Sequence, residues 1–223
     1  MSEARSAILG RIRRSLGAKA DDAARADKAR QHIARHSRSL IPARATKPAA
    51  ELYAQFRAFL EGQQARVLEA PSLSDVPAVL ARYLAESALL APIRLGADSR
   101  LAAMDWDQAG IGANNGAADP VDAIGVSFAL AGIAETGTLV IAAGADNPVT
   151  LAFLPATHII VVERASIVGS YEDALDILRA AFGAVTMPRT LNYISGPSRT
   201  ADIGGKIVIG AHGPRQLAII VVG

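Results

Sequence analysis

From residue 49 to the last residue, short aliphatic and β-branched runs alternate with stretches whose apolar residues recur every three to four positions. Leu52, Phe56 and Leu60 line one face of a helical pattern over 49–61, closed by Gly62, and 65–70 (ARVLEA) reads as a strand. Val76, Val79, Leu80, Tyr83 and Leu84 mark the buried side of a helix over 72–87, with Ser74 as its N-cap. A strand at 92–96 and a short helix at 101–104 follow. A helix between two strands brings them into one sheet side by side, so this alternation predicts βαβ units: an α/β fold with a mostly parallel sheet flanked by helices. From 124 onward the pattern is more strongly β-like. Strands are predicted at 126–132, 138–143, 158–162, 191–194, 206–210 and 216–222. Between them Ser170 opens an amphipathic helix with Leu175, Leu178, Ala181 and Phe182 inward, Glu172 and Asp173 in its first turn, and Gly183 at its end.

The 223 residues suit one domain plus an appendage, and a hydrophobic fraction of 51% with a mean hydropathy of +0.25 supplies a substantial core. Charge divides the chain. Residues 1–50 hold 12 Lys and Arg against 4 Asp and Glu, a balance of +8, whereas 51–223 hold 11 against 17, a balance of −6. The predicted organisation is a basic helical arm or linker over 1–45 and an α/β domain over 46–223. Ile8, Ile12 and Leu16 form a narrow stripe on the arm's first helix, stopped by Gly17. A basic arm suits an acidic protein surface or a second copy; nucleic acid is the weaker reading, and a solvated helix face the plainest one. No apolar run reaches the roughly 20 residues that span a bilayer, and the N-terminus lacks the apolar core of a secretory signal, so a cytoplasmic location is expected.

With no cysteine, the chain has no thiolate for catalysis, for a disulfide, or for ligating zinc or an iron–sulfur cluster. Its four histidines are scattered, no calcium-loop spacing joins the acids of 105–122, and no metal site is predicted. The dinucleotide fingerprint, the P-loop and the serine nucleophile elbow are all absent. Residues 105–122 read as a long surface loop, with Trp106 as packing or as a stacking platform. Two other polar clusters interrupt the apolar pattern. In 132–143 (GIAETGTLVIAA), Glu135, Thr136 and Thr138 surround Gly137 directly ahead of an apolar run. A carboxylate there is either a catalytic or ligand-binding group, or part of a hairpin turn accepting backbone hydrogen bonds. In 195–202, Ser195, Gly196, Ser198, Arg199, Thr200 and Asp202 make a loop of small hydroxyl residues around an arginine. Arg199 suits bidentate capture of a carboxylate or phosphate, or an internal pair with Asp202. The loop follows a predicted strand, and ligands of open α/β sheets gather at the C-terminal ends of strands. His212, on the tight connection 211–215, is a candidate acid/base or polarising group, or a structural histidine.

The runs GIAETGTLV (132–140), FLP before HIIVV (153–162), ISGPSRTADI (194–203) and GAHGP (210–214) resemble the lactate-utilization protein C family, whose members carry the LUD domain. Gly204 departs from that pattern, in which an acidic residue is frequent. The resemblance implies a fold similar to ribose-phosphate isomerase, glucosamine-phosphate deaminase and CoA transferases (NagB/RpiA/CoA-transferase-like). It also implies a part in oxidising L-lactate to pyruvate alongside partner proteins with Cys-ligated iron–sulfur clusters. On that footing the chain is a subunit or accessory factor without cofactor of its own and without lactate-oxidising activity alone. Ser195, Gly196, Ser198, Arg199, Thr200 and Asp202, with Thr136, Gly137 and Thr138, then bind a small anion that Glu135 and His212 orient or deprotonate. The alternative is a stand-alone CoA-transferase-like enzyme with Glu135 as nucleophile, since Glu135-Thr136-Gly137 resembles the glutamyl-thioester site of those enzymes.

Overall fold

The computed structural model describes every residue except 1, 2, 18, 20, 21, 185, 204 and 205, and the backbone alone at 201–203. Two compact units result, Met1–Leu40 and Ile41–Gly223. The first holds helices α1 (Glu3–Ser15) and α2 (Ala23–Arg35). Gly17 (φ 59°) stands beyond the end of α1, and the Asp22 carboxylate caps α2 by accepting from the Arg25 N–H at 3.0 Å. No side chain of either helix is buried.

The second unit continues with α3 (Ala49–Gly62), β1 (Arg66–Ala70), α4 (Val76–Glu86), β2 (Ile93–Leu95), α5 (Ser99–Ala102) and β3 (Ala113–Asn115). Next come β4 (Ile124–Phe128), β5 (Ala131–Ile133), β6 (Thr138–Ala142), β7 (Thr157–Glu163), β8 (Ile167–Val168) and α6 (Tyr171–Phe182). The chain closes with β9 (Leu191–Ile194), β10 (Arg199–Ile203), β11 (Lys206–Ile209) and β12 (Gln216–Val222). A six-stranded, wholly parallel sheet in the order β1-β12-β7-β4-β2-β3 forms the centre. Its strands are apolar on both faces. Ile159 and Val161 of β7 join Leu80, Ile93, Val126 and Ile220 under α4, while Ile160 and Val162 join Phe56 and Leu60 of α3 on the other side. Each such side chain contributes roughly 1.5–3 kcal/mol through burial.

Several sequence expectations change here. The apolar run 126–132 is not one strand. Leu130 donates to Val140, and the chain passes from the parallel sheet into a second, four-stranded sheet, β8-β5-β6-β9. Both halves are buried, so hydropathy carries no mark of the crossing. In the second sheet β6 runs antiparallel to β5 and to β9. Residues 199–203 are a strand rather than loop, paired antiparallel with β11 in a two-stranded ribbon. Ser74 does not cap α4: its hydroxyl meets that of Ser72 at 2.7 Å, and a 3-10 turn, Leu73–Asp75, precedes the helix. On α6 the buried residues are Ala174 and Leu178, whereas Ala181 and Phe182 are exposed, because the helix rolls to seat Tyr171 and Ile177 against the second sheet. The stretch 105–122 contains β3, and Trp106 is buried, with its indole N–H donating to the Leu101 carbonyl at 2.9 Å.

Candidate functional site

The Glu135 turn joins β5 to β6 and is tied on two sides. The Ala134 and Glu135 N–H groups donate to the carbonyls of Val168 and Gly169, which anchors the turn beside the start of α6. On the other side Gly137 (φ 63°) lies against α3, where a Cβ would sit 2.5 Å from Phe59 Cβ. A glycine is required both for the left-handed backbone and for that approach. Glu135 as a residue is 9% exposed, yet no cation or hydrogen-bond donor meets its carboxylate among the described residues.

Beyond the turn, hydroxyls form a chain. Thr136 Oγ1 meets Thr138 Oγ1 at 2.8 Å, Thr138 Oγ1 meets Ser195 Oγ at 2.7 Å, and the Tyr171 hydroxyl stands 3.1 and 3.3 Å from the two threonines. The register of β6 with β9, Leu139 opposite Ile194, sets Thr138 beside Ser195. The two polar clusters of the sequence are therefore adjacent. Tyr171 also packs against Tyr193, with ring centroids 5.5 Å apart, and burial, then the Tyr171 charge, raise the Tyr193 phenol above its ordinary range.

Ser195 lines a cavity of about 260 Å³, and so do Gly196, Ser198, Arg199 and His212. The Ser198 N–H donates to the Pro214 carbonyl and the Ser198 carbonyl accepts from Gly210, which clasps the arginine segment to the His212 connection. Gly196 lies against Gln63 at the end of α3, where a Cβ would be 2.9 Å from Gln63 Cβ. Arg199 donates to the Gln63 carbonyl at 2.8 Å and to its Oε1 at 3.4 Å, as a cation suits a helix C-terminus. That uses part of the guanidinium fork and leaves further N–H donors. Glu135, Thr136, Gly137, Thr138 and Thr200 are not in the cavity wall. The Asp202 side chain and Gly204 lie outside the described residues, so no pairing of Asp202 with Arg199 is drawn. The cavity also opens at a different edge from the one expected. His158 and Leu217, the second residues of β7 and β12, line it, so it sits at the N-terminal ends of the parallel strands. β9, which feeds the Ser195 loop, belongs to the other sheet, and the Ser198–Pro214 hydrogen bond ties that loop to the connection just ahead of β12.

Sequence reasoning missed Tyr171 and His158. His158 is 1% exposed; its Nε2 lies 2.9 Å from Ser127 Oγ and its Nδ1 has no partner. Burial pushes the imidazole down to about 3, so it is neutral at ordinary pH. The signal was present as strand parity, since His158 shares a face with Ile160 and Val162.

The LUD domain family matches residues 122–222, which include every residue of the cavity wall. Lactate utilization protein C of Bacillus subtilis (strain 168) is 40% identical over 100 residues, 44% of this chain and 42% of that protein. The protein of the same name from Bacillus velezensis is 36% identical over 126 residues, 56% of this chain and 52% of the other. The chain thus spans about half the length of the curated relatives it matches. A crystal structure of a DUF162 family protein from Deinococcus radiodurans superimposes with a TM-score of 0.61 at 24% identity, covering 79% of this chain and 99% of that one, which supports the α/β fold. Residues 122–222 therefore match the LUD domain family, and over that part the chain is similar to the proteins named lactate utilization protein C.

Proposed function

We propose that this chain serves lactate utilization as a component that binds a small monoanion and leaves electron transfer to iron–sulfur partner proteins. The observation that carries the reading is the convergence of Ser195, Ser198, Arg199 and His212 on one cavity, inside the segment related to lactate utilization protein C. A cavity of about 260 Å³ suits a small metabolite rather than a nucleotide. Arg199 supplies the charge and the fork geometry for a carboxylate, the two serines supply hydroxyls, and His212 stands exposed where it reaches a bound ligand. Thr138 positions Ser195 through their 2.7 Å contact. Lacking cysteine, the chain offers no thiolate to an iron–sulfur cluster, so such clusters belong to the partners.

Calorimetric titration with L-lactate and pyruvate tests the binding. Arg199→Ala is expected to weaken both by roughly tenfold to a hundredfold, the range of a charge-assisted hydrogen bond. Unchanged affinity in that variant removes Arg199 from the site. In cells, deletion of the gene is expected to stop growth on lactate, and the purified chain alone to turn over no lactate.

The unpaired carboxylate of Glu135 favours a second reading, a CoA-transferase-like nucleophile. Mass spectrometry after incubation with an acyl-CoA decides it: an adduct on Glu135 supports that reading, and its absence retires it.

A further inference from the structure

Two surfaces of the chain are left uncovered, and their chemistries are complementary. Ile8 and Ile12 of α1, with Leu16 just past its end, are 60%, 48% and 59% exposed. The Leu16 N–H still donates to the Ile12 carbonyl at 3.0 Å, so all three keep helical register and share one side. At about 100° per residue, Arg11 and Arg13 flank that stripe on either side. Residues 1–40 hold 10 Lys and Arg against 4 Asp and Glu, a balance of +6. The second surface is a groove of about 350 Å³ between the C-terminal end of α4 and the segment ahead of β3. Its wall is apolar, with Leu84, Ala85, Leu89, Leu90, Pro92 and Ile111, and Leu90 is 95% exposed. Beside it the surface is acidic. Glu86 follows Ala85 in sequence and Asp107 precedes the wall residue Ala109; both are exposed, with no ion pair among the described residues. Residues 101–163 contain no Lys or Arg and seven Asp or Glu, so no cation of that stretch competes for the acids, and the negative end of α4 adds to their pull.

We infer that this groove receives α1 of a second copy of the chain, so that two copies exchange their N-terminal helices. Ile8, Ile12 and Leu16 of one copy enter the apolar wall around Leu90 and Ile111 of the other, and Arg11 and Arg13 meet Glu86 and Asp107. The occupant is a copy of this chain because one sequence carries both halves of the match, apolar stripe to apolar wall and basic flank to acidic rim. A two-fold axis fills both grooves at once and closes the assembly at two chains. Each contact is small, which puts the dimer in the weak class. It should have a Kd on the order of 10–100 µM and come apart on dilution.

Sedimentation equilibrium of the full chain across that concentration range, at low and at high salt, tests the exchange. The expected result is a dimer that weakens as salt rises, since the pairs on the rim are screened. Ile12→Glu and Leu90→Lys alter exposed side chains, so each variant should keep its fold. Each puts a charge into the apolar contact and repels the partner surface, and each should weaken self-association by about tenfold or more. Mixing the two variants separates helix exchange from any other contact. The Leu90→Lys chain keeps an intact α1 and the Ile12→Glu chain an intact groove, so the mixture should associate more tightly than either variant alone. Self-association unmoved by both substitutions, or no gain on mixing, overturns the inference. So does a chain that stays monomeric throughout the range, whatever else binds the groove. None of these outcomes bears on ligand binding at Arg199.

Discussion

The imidazole of His158 gives the molecule a stability term that acid reveals. In the unfolded chain histidine takes its proton near pH 6.5, whereas burial holds the folded His158 down to about 3. Between those values the unfolded chain binds the extra proton, so stability falls as pH drops through that window and is fully retained above it. At roughly 1.4 kcal/mol per pH unit, lowering pH from 6.5 to 5 should cost about 2 kcal/mol from this residue. Urea denaturation of the natural chain and of the Ser127→Ala, His158→Leu variant at the two pH values checks it. Equal losses in both would assign the acid sensitivity elsewhere. Residue identities in the sequence were enough to single out Ser195, Ser198, Arg199 and His212, because hydroxyls, an arginine and a histidine on connections advertise polar chemistry. They could not show that Glu135 stands apart. Its turn reads the same whether Glu135 faces a cavity or, as here, is no part of the cavity wall and has its backbone bound to Gly169.

Among elements, α6 shows what local chemistry decides alone. Ser170 and Asp173 form a reciprocal capping box, with the Asp173 N–H donating to Ser170 Oγ at 3.2 Å and the Ser170 N–H to Asp173 Oδ2 at 3.1 Å. Ser170→Ala should lose about 1 kcal/mol, read as a lower urea midpoint with an unchanged slope. A change of less than a few tenths would mean that packing of Ala174 and Leu178 sets the helix without its cap. Helix starts and stops of this kind were legible, as were the long buried strands β7 and β12. The break between β4 and β5 was not. A strand leaving one sheet for another keeps the same apolar residues, and only the change of hydrogen-bonding partner, from Val161 at Ala129 to Val140 at Leu130, marks the passage.

At the scale of the whole molecule, the core belongs to the unit Ile41–Gly223, and no side chain of α1 or α2 is buried. A chain starting at Ile41 should therefore unfold cooperatively with a Tm within about 2 °C of the full chain, while losing part of the helical circular-dichroism signal. A large drop in Tm would show that residues 1–40 stabilise the body. Helices of 13 residues are marginal on their own in water, so α1 and α2 should melt gradually rather than with the core. By itself the sequence determined the class of fold, the separation of a basic arm from an acidic body, the absence of thiolate chemistry and the residue types able to hold an anion. Each of these depends on composition or on periodicity along the chain, which are local properties. Only the tertiary structure decided that two sheets share the apolar runs, that Thr138 and Ser195 touch, that the cavity opens at the N-terminal ends of β7 and β12, and that His158 lines it. Those depend on which distant segments share a sheet and in what register, and hydrogen bonds between strands leave no trace in the order of apolar and polar residues.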